Sequence, residues 1–322
     1  MKAIENISET GKTADKVFYK KDYNIARNII AQKQFNVIAD AFNKSNIDFI
    51  PLKGIVYINL IYENIWDRFL TDIDLLIKTA DLSKIHNIMN KLGYTHLSSN
   101  PLGWTPVESG LNVDLHTDIW YLSKHEIKEL WQSCAIAKFC GFSLKLPSKE
   151  EMIIYAIAHS LIHHANKEGN LRDDLINMFT KWQNDIDLLL LINKIKKYNF
   201  ISPFVYSFNL IRSEIPYVLS QQIEAFIYPE RNIEREKEFL IYLNLKHPLK
   251  GHLLRLIFQR NIYYKIAYIL STLFPQPYIM RWRYNAHSSL GICLTYAARP
   301  FLLAYYSLKV LFRLSSRKSS VY

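Results

Sequence analysis

The chain has 322 residues, of which 49% are hydrophobic and 21% charged, a balance typical of globular proteins and a length that allows two domains. It has only nine glycines and neither a Gly-x-Gly-x-x-Gly nor a Gly-x-x-x-x-Gly-Lys-Ser sequence, which removes the main support for a dinucleotide fold or a P-loop. Three cysteines without metal-ligand spacing and an N-terminus without a secretory apolar core predict a cytoplasmic protein.

In chain order, residues 1–22 are polar and mixed, and we expect a flexible lead-in there. Apolar periodicity predicts a helix over 23–45. Strands and helices then alternate up to residue 147. Strands are predicted over 46–52, 71–77, 94–97, 104–107, 110–117 and 142–146, with helices over 55–62 and 81–92.

From residue 148 the pattern is helical throughout. Ser148 with Glu151 three positions later resembles a capping box before an apolar helix. Helices are predicted over 149–165, 172–197, 203–227, 231–247, 250–273 and 288–313. The predicted fold class is therefore α+β, with an α/β domain over 23–147 followed by an all-α domain over 148–322.

The net charge of +11 lies entirely in the last quarter of the chain. Residues 250–322 contain eleven of the 40 Lys and Arg and none of the 29 Asp and Glu, so residues 1–249 are neutral. Such asymmetry predicts an acidic partner or an anionic membrane surface for 250–322. The apolar stretches there contain basic residues, so we expect no transmembrane span. We favour core helices with a basic solvent face over helices lying on an anionic surface.

The most informative short motif is Asp72-Ile73-Asp74, which precedes the apolar run Leu75-Leu76-Ile77. In a strand, side chains two apart point to the same face, so the two carboxylates lie side by side. Their repulsion is relieved if a divalent cation such as Mg²⁺ or Mn²⁺ binds between them, because such ions take oxygen ligands. The alternative is a strand that ends in a solvated acidic turn.

The strand predicted over 110–117 supplies a candidate third carboxylate, Asp114, with His116 on the same face. Three carboxylates can hold the metal ions that stabilise an in-line phosphoryl displacement. The Lys53-Gly54 turn leads into a predicted helix, where Gly54 allows a close backbone approach and Lys53 adds a charge for phosphate. Arg68 can bind phosphate as a fork. Each of these residues is also compatible with an ordinary surface position.

These motifs follow one another in a definite order: Leu52-Lys53-Gly54, Arg68, Asp72-Ile73-Asp74, Leu92-Gly93-Tyr94, Val113-Asp114-Leu115-His116 and Leu146-Pro147-Ser148. In that order they resemble a bacterial family of uncharacterised nucleotidyltransferases within the polymerase-β-like nucleotidyltransferase superfamily. The resemblance extends from about residue 35 through most of the chain. It departs from the superfamily at Lys53-Gly54, where a Gly-Ser pair usually precedes the metal-binding strand.

The resemblance implies a small mixed sheet flanked by helices, with Asp72, Asp74 and Asp114 as metal ligands and catalytic residues. It also implies an NTP as substrate and Mg²⁺ or Mn²⁺ as cofactor. We expect Lys53, Gly54, Arg68 and His116 to contact the nucleotide.

His159 and His163, four apart on a predicted helix, are interpreted as structural or substrate-facing side chains rather than as zinc ligands. The function predicted from these observations is transfer of a nucleoside monophosphate to an RNA end, a peptide or a small molecule. The alternative is a non-catalytic protein whose basic region binds nucleic acid, anionic lipid or an acidic partner.

Overall fold

The structure is a computed structural model that describes residues 2–97, 100–165, 169–246, 250–284 and 288–318, with side chains described inside these ranges from residue 21 to residue 305. The chain forms two compact units, Met1–Arg255 and Leu256–Tyr322. The predicted fold class is confirmed, because a mixed sheet with helices is followed by a mostly helical region.

A five-stranded mixed sheet forms the centre of the first unit. Its strands are β1 (Phe49–Leu52), β2 (Asp72–Ile77), β3 (Tyr94–Leu97), β4 (Asn100–Pro106) and β5 (Asn112–His116). Their spatial order is β1-β2-β5-β4-β3, with β2 and β5 parallel and every other neighbouring pair antiparallel. A separate hairpin pairs β6 (Ala135–Phe139) with β7 (Phe142–Leu146). The sequence predicted β7 but missed β6.

The helices of the chain are α1 (Lys2–Lys44), α2 (Gly54–Leu60), α3 (Leu82–Lys91), α4 (Lys124–Ser133), α5 (Lys149–Ile157), α6 (Leu171–Lys181), α7 (Leu188–Lys197), α8 (Ile201–Ile211), α9 (Tyr217–Ile227), α10 (Ile233–Leu243), α11 (Lys250–Ile257), α12 (Ile262–Leu273), α13 (Pro277–Tyr284) and α14 (Ser289–Lys318). α5 continues as a π-helix, Ala158–His163. Among the described residues, no helix has the length and apolar character needed to cross a bilayer.

The core forms because β2 is apolar on both faces from Leu75 onward, and β5 is apolar on the face formed by Val113 and Leu115. Ile73 and Leu75 of β2 and Val113 of β5 have no exposed surface. α1 packs against β1 through edge-to-face ring contacts of Phe35 and Phe42 with Phe49. Burial of these side chains places the β2–β5 pair at the centre of the unit. Close packing there limits the movement of the side chains that the two strands carry.

Several helix boundaries differ from the predicted ones for local reasons. α1 begins at Lys2, so the predicted lead-in is helical in its backbone from there on. One helix was predicted over 203–227, but Pro216 separates α8 from α9, because the residue before a proline avoids helical backbone angles. Similarly, 172–197 divides into α6 and α7, and Asp187 caps α7 by accepting a hydrogen bond from the Leu190 amide at 2.9 Å.

Capping explains two of the helix starts. The predicted cap at Ser148 is present, since its hydroxyl accepts from the Glu151 amide at 3.3 Å. A complete capping box lies at Ser123 and Glu126, at the start of α4, where the sequence predicted no helix. Helix α13 was likewise not predicted from the sequence.

Candidate functional site

Strands β2 and β5 bring three carboxylates together. Their parallel register places Asp74 beside Asp114 and Asp72 beside Asn112. One carboxylate oxygen from each of Asp72, Asp74 and Asp114 lies within 4.8 Å of those from the other two. In the part of the chain that the structure describes, this is the one group of three or more His, Cys, Asp or Glu side chains that meets so closely. The convergence predicted from strand alternation is present in the fold.

The surroundings of the three carboxylates leave negative charge uncompensated. Burial, followed by the neighbouring Asp74 charge, raises the pKa of Asp72 and of Asp114 above the usual range. For Asp74 burial acts in the same direction, but the Lys53 ammonium and the His116 hydrogen bond outweigh it and hold the pKa low. A divalent cation would supply the missing positive charge, and an all-oxygen donor set suits Mg²⁺ or Mn²⁺. The residues present therefore fit such an ion.

Two neighbouring groups orient the outer carboxylates. The Thr71 hydroxyl donates to Asp72 Oδ1 at 2.8 Å, and the Asn100 side-chain amide lies 3.4 Å from Asp114 Oδ1. Both donors leave the second oxygen of each carboxylate available to a ligand. Rotamers held in this way are the form of preorganisation that metal sites require.

Lys53 is the cation bound to the buried carboxylate. Its Nζ lies 2.6 Å from Asp74 Oδ1, and Asp74 is only 2% exposed. Lys53 has φ 52° and ψ −129°, an unusual backbone conformation for a side chain other than glycine. Such conformations cost about 1–3 kcal/mol and cluster at functional sites. The strained turn between β1 and α2 therefore positions this ammonium at the carboxylate cluster.

Gly54 and Arg68 are packed against each other. A Cβ added at Gly54 would lie 2.5 Å from Arg68 Nη1 and 2.5 Å from Leu70 Cδ2, so glycine is required for this packing. α2, which begins at Gly54, has only seven residues. From the sequence, Gly54 was expected to allow the close approach of a ligand. In the structure it allows the close approach of the Arg68 and Leu70 side chains.

Arg68 is bound to a carboxylate that the sequence analysis did not connect with it. Its Nε donates to Asp174 Oδ1 at 2.7 Å and its Nη2 to Asp174 Oδ2 at 2.9 Å. The Tyr62 hydroxyl also donates to Asp174, at 2.7 Å. This buried fork attaches α6 to the segment leading into β2. The predicted contact of Arg68 with the nucleotide stays a prediction. Because Asp174 binds Nε and Nη2, Nη1 is the nitrogen left for such a contact.

His116 and two further histidines complete the surroundings. His116 Nε2 donates to Asp74 Oδ1 at 2.8 Å, on the oxygen that Lys53 also binds. His159, on the π-helix, has its Nε2 2.8 Å from Lys53 Nζ, and His164 Nε2 lies 3.1 Å from His159 Nε2. Burial and then Lys53 lower the pKa of His159 well below the usual value, so the neutral Nε2 accepts a hydrogen bond from the Lys53 ammonium. Asp74, Lys53 and His159 therefore form a hydrogen-bonded row.

This connection gives no direct signal in the sequence. The four-residue spacing of His159 and His163 suggests a shared helix face, but nothing in it places His159 beside Lys53, 106 positions earlier in the chain. The one local signal was the histidine pair on an otherwise apolar helix. The π-helix Ala158–His163 is a second, structural signal, because π-helical turns occur frequently at functional sites.

Comparisons with known proteins give one informative match. No curated protein is significantly similar to the chain. The solution structure of the antibiotic-resistance factor ANT(2'')-Ia aligns with 14% identity and a TM-score of 0.34, over 66% of this chain and 99% of that one. Structural similarity at this level supports no conclusion about the fold or function of the chain. The family model described as "Uncharacterised nucleotidyltransferase" matches residues 12–213, more than half of the chain. The chain therefore belongs to this family of uncharacterised nucleotidyltransferases.

Proposed function

We propose that the protein transfers a nucleoside monophosphate from an NTP to an acceptor in a reaction that depends on Mg²⁺ or Mn²⁺. The observation that carries this proposal is the convergence of Asp72, Asp74 and Asp114, combined with membership of a nucleotidyltransferase family. In the reaction an acceptor oxygen forms a bond to the α-phosphorus, the bond to the β-phosphate oxygen breaks, and pyrophosphate leaves.

The three aspartates would hold the metal ion. Bound there, a divalent cation would neutralise charge on the triphosphate. Asp74, the most buried of the three, is fixed in position from one side by Lys53 and His116. Asp114 lies at the more open position and takes the proton from the acceptor hydroxyl, so that the oxygen attacks as a nucleophile.

Lys53 and His116 are proposed to contact the nucleotide phosphates. Both donate to the same oxygen of Asp74, within reach of any phosphate held at the carboxylates. A cation bound by Asp74 would neutralise its carboxylate in place of Lys53 and His116. The N–H groups of these two side chains would then be available to phosphate oxygens. Gly54 and Arg68 border this position, and Arg68 Nη1 is the atom that remains for a phosphate contact.

The acceptor is proposed to be a hydroxyl or phosphate on an RNA end, a peptide or a small molecule. We place the reaction in the cytoplasm, where NTPs and Mg²⁺ are supplied. Membership of a nucleotidyltransferase family favours this reaction over the alternative of a non-catalytic protein whose basic region binds an acidic partner.

The proposal is tested with α-labelled NTPs, Mg²⁺ or Mn²⁺, and the RNA, peptide and small-molecule fractions of a bacterial lysate as separate acceptors. Label transferred to one fraction identifies the acceptor class. The double variant Asp72→Asn/Asp74→Asn should reduce transfer by about 1,000-fold or more, as loss of a metal site does. Equal transfer by wild type and double variant would refute the proposal.

A matched control is Asp48→Asn, since Asp48 is an exposed aspartate beside β1 that pairs with Lys78 outside the cluster. This variant should retain full transfer. Binding of Mn²⁺, measured by electron paramagnetic resonance without any NTP, provides a readout separate from activity. The double variant should lose that binding, and Asp48→Asn should keep it.

A further inference from the structure

Helix α12, in the second compact unit, has no buried residue, although most of its side chains are apolar. Ile262 and Tyr263 are 70% and 72% exposed, and Ile266 and Leu270 are about half exposed. The spacing of four between Ile262, Ile266 and Leu270 puts them on one face of the helix. The sequence-based preference for a core helix is therefore wrong for α12. We call Ile262, Ile266, Leu270 and the adjoining Tyr263 the α12 stripe.

Helix α14 presents a second exposed apolar face. Leu290, Leu294, Phe301 and Tyr305 recur at four, seven and four residues, which places them on one side of the helix, and we call them the α14 stripe. Phe301 is 78% exposed and Leu290 71% exposed. Contiguous apolar surface of this kind marks an interaction site more often than scattered single side chains do.

The charge around the two stripes is entirely positive. From Leu256 to the end of the chain there is no Asp or Glu. Arg281 and Arg283 on α13 are exposed. Arg299, in contrast, is buried, and it donates to the Thr272 carbonyl and the Tyr284 hydroxyl, so it supports the fold of the unit and is not part of its charged surface.

We propose that the unit Leu256–Tyr322 binds the surface of an anionic lipid bilayer, with the α12 and α14 stripes in the boundary between headgroups and acyl chains. Helices that lie in this boundary combine an exposed apolar face with basic side chains and a low content of acidic ones. Arg281 and Arg283 would contact the lipid phosphates. This attachment is independent of the proposed reaction and would bring the enzyme to acceptors at a membrane.

Two other occupants fit the surface less well. A second copy of the unit would bring positive charge against positive charge, with no acidic residue on either side to compensate. A nucleic acid would match the charge, but its bases stack on aromatic side chains, and of the eight stripe residues only Tyr263, Phe301 and Tyr305 are aromatic. The other five, Ile262, Ile266, Leu270, Leu290 and Leu294, are aliphatic. An anionic bilayer matches both the charge and the aliphatic character.

The test is flotation of the full-length protein with vesicles of phosphatidylcholine alone and with vesicles that also contain phosphatidylglycerol. Wild type should float with the anionic vesicles and remain behind with the neutral ones. The variant Ile266→Asp/Leu270→Asp should lower the bound fraction at least about tenfold, because it places charge in the apolar boundary. A second variant, Arg281→Glu/Arg283→Glu, should also lower binding and should reduce its dependence on salt.

The matched control is Ile136→Asp, since Ile136 is 73% exposed on β6 in the first unit and its replacement should leave flotation unchanged. Circular dichroism should show wild-type helix content for each variant. The proposal is overturned if wild type ignores anionic vesicles, or if the α12 variant floats as wild type does. It is equally overturned if the α12 variant instead converts a dimer into a monomer, or if RNA binds and loses affinity in that variant.

Discussion

The two compact units use charged and apolar side chains in opposite ways. Among the described side chains of Met1–Arg255 five acidic ones are buried, and each has a partner: Asp74 with Lys53, Glu126 with Lys197, Glu151 with Lys194, Asp174 with Arg68, and Glu150 with the Asp187 amide. In Leu256–Tyr322 the basic Arg281 and Arg283 and the apolar stripes of α12 and α14 are exposed. Buried paired charge builds a rigid site, whereas exposed apolar surface builds a place of attachment.

The largest loss of stability in the first unit, Met1–Arg255, is expected from Asp174→Ala. The substitution leaves the Arg68 guanidinium buried without its carboxylate, so the free energy of unfolding should fall by about 3–5 kcal/mol. Urea unfolding measures it. The control Asp173→Ala, at an exposed neighbour on the same helix, should change that free energy by no more than about 0.5 kcal/mol. Equal losses in the two variants would show that Arg68 does not depend on Asp174.

A smaller effect of the same kind is expected within the second unit from Arg299→Ala. The buried guanidinium donates to the Thr272 carbonyl and the Tyr284 hydroxyl. Its removal leaves only neutral groups without their donor, which costs about 1–3 kcal/mol, less than leaving a buried charge unpaired. The variant should make the second unit sensitive to limited proteolysis. Arg283→Ala, an exposed arginine of the same unit, should leave the proteolysis rate as in wild type. A stable Arg299→Ala variant would mean that this unit is held together by apolar packing alone.

The effect that is smallest near neutral pH concerns a histidine beside the site. Burial, and then Arg255, lower the pKa of His163 to about 3 from the ordinary value of 6.5. As pH falls below 6.5 the unfolded chain takes up a proton at this residue and the folded chain does not, so stability is lost. The loss is about 1.4 kcal/mol for each pH unit below 6.5 and ends near pH 3.

His163→Gln removes this contribution. Its free energy of unfolding should therefore fall less steeply than that of wild type when urea unfolding is measured at several pH values below 6.5. Parallel curves for the two proteins would show that His163 becomes protonated in the folded state.

Some of the site was predictable because its signal is local. Asp72 and Asp74 are two apart in an apolar run, and strand alternation alone puts them on one face. The pairing with Asp114 was also accessible, since the alternating pattern around Val113 and Leu115 identified a second strand. The positive φ of Lys53 gave no such signal, because that conformation is not specific to lysine.

The sequence by itself determined the change from an α/β region to a helical one, the carboxylate pair and the concentration of charge in the last quarter, since all three depend on neighbouring residues or on simple counting. Only the tertiary structure decided that Arg68 binds Asp174, that His159 meets Lys53 and that α12 is exposed. Contacts between residues about a hundred positions apart, such as Arg68 and Asp174, leave no periodic trace in the chain. An apolar helix has the same pattern whether or not other elements cover it, so its burial depends on what packs against it.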